Sequence, residues 1–273
     1  ERNQIENMNE IRLEIAQIYK EIYKINHARV IYENFINKKS PASDSILARS
    51  YIELAGIEED LSNTDKAVEY FKKAFAYIND GVEIKPAALA QAYFKYALIL
   101  DDFNQTQAAL DFYQRSIRTE KDENIYLSAA YTNIAEIIKA SGNTTKAADY
   151  YKLGLKIDFE RSNYEGMYYI CLKLAQLYET SLPEKVLDYL LKSLSAAKRT
   201  KEPIYITNAY IELGDYYFGK ESYTKALKAF LLAKKHISED DDSSSIDLRI
   251  DDIKANVSQD LIDKITDEVN KNG

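Results

Sequence analysis

The stretch Tyr210–Ala233, YIELGDYYFGKESYTKALKAFLLA, decides the fold. It holds Leu213-Gly214, then Tyr217, Ala226, Phe230 and Ala233. Two helices packed side by side need small residues where their backbones approach and large ones where they part. Gly214 and Ala226 are twelve residues apart across a short turn, a separation expected to set them opposite each other in a helical hairpin. Tyr217, Phe230 and Ala233 then lie one or two turns away on the facing stripes. Gly219-Lys220-Glu221-Ser222 supplies breaker and cap residues for the turn. The stretch therefore predicts an αα-hairpin.

The same offsets recur through the chain. With the small residue of the first helix as anchor, the series is Ala16, Ala55, Ala97, Ala135, Ala175 and Gly214, spaced by 39, 42, 38, 40 and 39 residues. Twelve residues after the anchors come Ala28, Ala67, Ala109, Ala147 and Ala226; in repeat five Val186 fits if its turn is one residue shorter. Sixteen after come Tyr32, Phe71, Tyr113, Tyr151 and Phe230, with Leu190 the counterpart in repeat five. One hairpin per period of about forty residues is the mark of a solenoid.

These residues resemble the tetratricopeptide repeat (TPR) family, in which small residues and an aromatic recur at these places in each helical pair. The resemblance covers about residues 8–237. The period is longer than the family's usual thirty-four, as in the long-helix variants of kinesin light chains and bacterial peptide-pheromone receptors. It implies an all-α fold, a right-handed α-solenoid of six hairpins closed by a C-terminal capping helix. The expected repeats are about 5–38, 44–78, 86–117, 123–157, 163–198 and 203–237. Residues 1–240 then form the solenoid and 244–273 the cap.

Composition agrees with one extended helical array. The 273 residues hold only 8 Gly and 4 Pro, no Trp, and 23 Tyr. A solenoid grows by stacking, so this length does not require a second domain. Roughly three quarters of the chain is expected in helices, well above the usual third. The net charge of −8 argues against a nucleic-acid partner, which needs a basic face. No apolar run is long enough to insert in a membrane. Cys171 is the single cysteine, so no internal disulfide forms and no oxidising compartment is required. The expected location is cytoplasmic. The chain starts at Glu1 rather than Met, which leaves room for a removed N-terminal segment.

Residues 1–25 read as one helix with Ile5, Met8, Ile11, Ile15, Ile18 and Ile22 on an apolar stripe, turning at Asn26-His27. Asn37–Pro41 ends repeat one, and Ser43 or Asp44 caps the next helix. Leu61–Thr64 is expected to supply cap oxygens in repeat two. The connection Asn79–Pro86 explains the period of 42. Turns fall at Asn104–Thr106 and Gly142–Thr144, and Pro183 opens the second helix of repeat five. Glu239–Ser245 reads as a polar hinge. Ile246, Ile250, Ile253, Val257, Leu261, Ile265 and Val269 follow at helical spacing, with Ser258 as a candidate break. No cap of this kind precedes the first hairpin: either a helix has been trimmed there or a partner covers its apolar edge.

Chemistry is sparse. There is no nucleotide loop, metal-binding helix motif or nucleophile elbow, and no cofactor is expected. His27 and His236 have no partner at metal spacing, and read as structural or surface residues. Cys171 stands where other repeats carry Tyr51, Tyr93, Tyr131 and Tyr210, a core position that suits a buried thiol. The acidic run Glu239–Asp242 lacks the alternation of a calcium loop. The sequons at Asn104 and Asn143 are explained as turn and cap residues.

In the TPR family the first helix of each hairpin lines the concave face. Carried onto this chain, that implies Leu13, Gln17, Ile52, Glu59, Asp60, Phe94, Leu98, Asp101, Asp102, Glu136, Leu172, Gln176, Glu179, Ile211 and Asp215 as partner-binding residues. Acids outnumber bases on this face, beside a row of apolar side chains. That suits a helical or extended peptide with basic residues and a few large apolar ones. Alternatively, the row is buried and the acids follow the overall charge. The family's clamp for C-terminal carboxylates is absent: its Lys and Asn positions hold Leu13 and Gln17, then Ile52 and Gly56. Two functions stand: a non-catalytic scaffold binding a peptide or protein in its groove, or a sensing module of a larger signalling or transcription-regulator protein.

Overall fold

A computed structural model describes residues 2–37, 39, 41–237 and 242–271. Lys38 and Ser40, expected in the end of repeat one, and Glu239–Asp241 of the acidic hinge lie outside the described residues. Among the described residues there is no strand, and no helix is long and apolar enough to cross a membrane. The chain divides into two compact units, Glu1–Ala130 and Tyr131–Gly273.

Unit 1 is a set of three hairpins: α1 (Arg2–Glu21) with α2 (Ile25–Ile36), α3 (Asp44–Asp60) with α4 (Thr64–Asn79), and α5 (Pro86–Asp102) with α6 (Thr106–Thr119). The division falls within α7 (Leu127–Ala140), and unit 2 continues with α8 (Thr144–Glu160). Then come the hairpins of α9 (Tyr164–Ser181) with α10 (Val186–Thr200) and α11 (Pro203–Gly219) with α12 (Tyr223–His236). The tail forms two helices, α13 (Ser244–Lys254) and α14 (Gln259–Lys271), and both pack on α12.

One backbone device ends the first helix in five of the six repeats. The residue seven after the anchor is left-handed: Tyr23, Ser62, Asn104, Gly142 and Glu221. The next N–H then reaches back to the carbonyl five residues earlier, as in Asn63 to Glu58 (2.8 Å) and Ser222 to Tyr217 (2.9 Å). This closure satisfies carbonyls left over at the helix end. It corrects the first boundary: the left-handed Tyr23 stops α1 at Glu21, so the turn is at 22–24 rather than at Asn26-His27. Repeat five departs as its sequence does. Leu182 leaves the helix there (φ −148°, ψ 68°), and Pro183 opens a 3-10 turn, Pro183–Lys185, rather than the second helix itself, which starts at Val186.

Other boundaries have equally local causes. Ser43 accepts a hydrogen bond from Ile46 N (3.4 Å) and Asn143 from Lys146 N (3.0 Å), both as caps. Asn63 does not cap α4; its amide donates to Glu58 (2.8 Å) instead. Helix α7 starts four residues after the expected Glu123. Asn124 holds the preceding turn, donating to the Ser116 hydroxyl (3.1 Å) and accepting from Tyr126 N (3.0 Å). In the tail, Ile246, Ile250, Ile253, Ile262, Ile265 and Val269 are buried. The chain leaves the helix at 255–258, so Ile262 takes the buried place expected for Leu261.

The core follows the repeat offsets. Ala28, Ala67, Ala109, Ala147 and Ala226 are fully buried, as are Tyr32, Phe71, Tyr113 and Tyr151, with Phe230 nearly so. The atoms nearest to the face of Gly214 are those of the Phe230 ring. A Cβ on Gly214 would lie 2.4 Å from Phe230 Cε1. The tyrosines of the Cys171 position pack against other rings, as Tyr93 does on Phe75 (5.2 Å between centroids). Cys171 itself is buried, and burial pushes its thiol up to about 12. His236 stacks on Tyr210 (5.8 Å) and His27 lies against Tyr19 (5.1 Å).

Glu58 is the buried charge of unit 1. Its carboxylate is enclosed by Arg29, Asn63 and Lys66. Desolvation pushes its pKa up, but the hydrogen bonds from Asn63 and Lys66 and the charge of Arg29 outweigh that and hold it below the usual 4.5. A depressed folded-state pKa adds stability above the unfolded value, and this is lost as pH falls through the folded one. Glu58→Gln is expected to be less stable than wild type at pH 7, with the gap closing below about pH 4. Urea midpoints across that range check it; a constant gap would show that the charge of Glu58 is not what stabilises this corner.

Candidate functional site

In each unit a cavity is lined by side chains of successive first helices. In unit 1 a cavity of about 280 Å³ is bounded by Glu10, Leu13, Glu14 and Gln17 of α1, by Tyr32, and by Arg49, Ile52 and Glu53 of α3. In unit 2 a cavity of about 470 Å³ is bounded by Tyr169, Leu172, Lys173, Gln176 and Glu179 of α9, by Val186 and Leu190 of α10, and by Glu212, Asp215 and Tyr216 of α11.

Helix geometry explains this lining. At 3.6 residues per turn, positions one and five after the anchor and two and six before it fall in one narrow sector. Positions three before and four after lie nearer the anchor, and so nearer the core. Leu13, Ile52 and Phe94 are accordingly buried, at 3, 9 and 4% exposure. Leu13 and Ile52 form a cavity wall, whereas Phe94 is covered by the ring of Tyr126, parallel to it at 4.5 Å. The expected apolar row is thus half core. Leu98, Leu172 and Ile211 are half-buried.

Of the expected partner-binding residues, Leu13, Gln17 and Ile52 meet in the unit 1 cavity, and Leu172, Gln176, Glu179 and Asp215 in that of unit 2. Glu59, Asp60, Phe94, Leu98, Asp101, Asp102, Glu136 and Ile211 line neither. The positions two and six before the anchor were missed. They supply Glu10, Glu14, Arg49 and Glu53 in unit 1, and Tyr169, Lys173 and Glu212 in unit 2. A helical wheel drawn from the anchor would have found them.

Those positions also change the charge balance. Lys95 Nζ pairs with Glu59 (2.6 Å) and Asp60 (3.2 Å). Arg49 grips both oxygens of Glu10 (2.8 and 2.6 Å), and Lys20 pairs with Glu53 (2.5 Å). Lys173 pairs with Glu136 at 2.8 Å, and Arg249 of α13 holds Asp215 through two bonds (2.9 and 3.2 Å). For Glu136, desolvation is outweighed by Lys173, Tyr151 and Lys139, so its carboxyl sits below the usual range. Much of the acidity on these helices is therefore neutralised within the chain.

Two places gather carboxylates, and in each the neighbouring charge raises one of them. Asp101 is half-buried beside Asp102, and desolvation followed by that neighbouring charge raises its carboxyl. In the unit 2 cavity, desolvation of its carboxyl end raises Glu212, and Asp215 and Glu179 raise it further; Arg249 opposes them. Three carboxylates, two lysines (Lys173 and Lys220), two tyrosines and the apolar wall of Leu172, Val186 and Leu190 thus converge on one cavity, with Lys173 drawn to Glu136.

A family model of the tetratricopeptide repeat matches residues 48–86, 90–123 and 128–161. No curated protein matches the sequence. Solved structures share the fold. The apo form of RapI, at 16% identity, aligns over 91% of this chain and 71% of its own, with a TM-score of 0.63. BtubC (BKLC) from P. vanneervenii, at 17% identity, aligns over 86 and 90% with a TM-score of 0.58. YrrB, a TPR protein with an unusual peptide-binding site, aligns at 14% identity over 74 and 91%, with a TM-score of 0.51. At these identities the likeness is one of fold.

Proposed function

From the premise that this chain carries tetratricopeptide repeats, we propose that it is a non-catalytic scaffold holding a peptide or protein segment against its first helices. The observation that supports this most is the unit 2 cavity, about 470 Å³, which joins an apolar wall to Glu179, Glu212 and Asp215. A cavity of that size takes one or two side chains of a partner. A Lys or Arg beside the carboxylates would relieve the like-charge crowding that raises Glu212. A Leu, Phe or Tyr beside it would fill the space under Leu172 and Val186. The partner segment is therefore a basic residue next to a large apolar one, and the positive charge steers its approach.

The test is a selection of displayed random peptides on the folded chain. Enriched sequences are expected to pair Lys or Arg with an apolar anchor, and their binding to weaken with salt. Glu179→Lys/Glu212→Lys should remove binding by tenfold or more, the loss of one charge-assisted contact of about 1.5–3 kcal/mol. An acidic consensus, or binding untouched by the double substitution, would place the partner elsewhere.

A further inference from the structure

Ile5, Met8, Ile11, Ile15 and Ile18 of α1, and Ile22 in the turn that follows it, all face solvent, Ile11 at 56%, Ile15 at 41% and Ile18 at 54% exposure. They are not the face that packs inside unit 1; that face is Asn9, Leu13 and Ala16, all buried, with Asn9 bonded to Pro41 O at 2.6 Å. The repeat shows what the exposed stripe corresponds to. The equivalents of Ile11, Ile15 and Ile18 in α3 are Ser50, Leu54 and Ile57, all at 0–1% exposure. In α9 they are Ile170, Leu174 and Leu177, at 0–5%. Helices α3, α5, α9 and α11 each pack on the second helix of the hairpin before them. On α1 the same face is at least as apolar as on α3, with Ile11 in the place of Ser50, and lies open.

We propose that this stripe is an interface between two copies of the chain, α1 against α1 of a second copy. This is independent of the peptide cavity. The first argument is spacing: Met8, Ile11, Ile15, Ile18 and Ile22 follow steps of three, four, three and four. That is the narrow seam of paired helices, where each side chain enters a gap on the facing helix. The second is area. The six side chains expose on the order of 500 Å², the size of the largest apolar patch on an ordinary monomer. Two copies face to face bury on the order of 1,000 Å², the lower bound of a specific interface. The third is that α12, the other helix with a large apolar outer face, is already covered. Helices α13 and α14 of the same chain cover α12 with Ile246, Ile250, Ile253, Ile262 and Ile265. A second copy therefore offers its own open α1 stripe rather than α12, which makes the contact isologous.

The test is the mass of the intact chain by size-exclusion chromatography with light scattering at micromolar concentration. The wild type is expected at twice the chain mass and Ile15→Glu/Ile18→Glu at the chain mass. Both positions are exposed, so the variant should keep its helical circular dichroism and melting temperature. A monomeric wild type, or a dimer that survives the double substitution, overturns the proposal. So does a complex in which a different protein rather than a second copy covers the stripe.

Discussion

Phe230→Ala should lower the stability of the α11–α12 hairpin by about 3–5 kcal/mol, the usual cost of removing a buried aromatic ring from a packed site. The ring is 1% exposed and fills the space left by the missing side chain of Gly214. Gly214→Ala alone should also destabilise, by about 1–3 kcal/mol, because its Cβ would fall 2.4 Å from Phe230 Cε1. The informative result is the combination. With the ring gone, the added methyl enters a cavity rather than a clash, so Gly214→Ala should be neutral or mildly stabilising in the Phe230→Ala chain. Urea unfolding of the four chains measures this. Simple additivity would mean that the two residues do not share one space.

Phe71→Ala should cost a similar amount in unit 1, about 3–5 kcal/mol. Its ring is fully buried and meets Phe75 (5.9 Å) and Tyr96 (5.6 Å), so it ties α4 to α5. In a repeat array each hairpin is stabilised chiefly by its neighbours, so a local loss spreads over a hairpin or two. Amide exchange should therefore quicken in α3–α6 of the Phe71→Ala chain and leave α11–α14 near wild type. Phe230→Ala should show the reverse. Equal acceleration along the whole chain in both variants would mean a single cooperative core and count against two compact units.

Some of the candidate site was legible beforehand. Gln17, Gln176, Glu179 and Asp215 sit one or four residues after an anchor, and they line the cavities as the offsets imply. Leu13, Ile52 and Phe94 were assigned to the same face; three residues before the anchor is rotated toward the core, so all three are buried, with Leu13 and Ile52 forming a wall of the unit 1 cavity and Phe94 lying under Tyr126. Glu212, Lys173 and Arg49 were overlooked for the same angular reason. Charge pairing was less accessible still. Lys95 meets Glu59 across thirty-six residues, and Arg249 meets Asp215 across thirty-four. No local pattern in the chain announces such contacts.

The sequence by itself determined the hairpins. Small residues at fixed offsets, an aromatic sixteen after each anchor and turn residues between them dictate helix pairs, because backbone approach and side-chain volume are local properties of two adjoining helices. Even the irregular turn of repeat five was written in its shortened spacing and Pro183. Tertiary structure alone decided which apolar stripe is core and which is surface. Ile11, Ile15 and Ile18 of α1 and Ile170, Leu174 and Leu177 of α9 read alike along the chain, but α8 packs on α9 whereas the α1 stripe stays open to solvent. Burial is a property of what lies across the interface, and one helix's own residues carry no record of its neighbour.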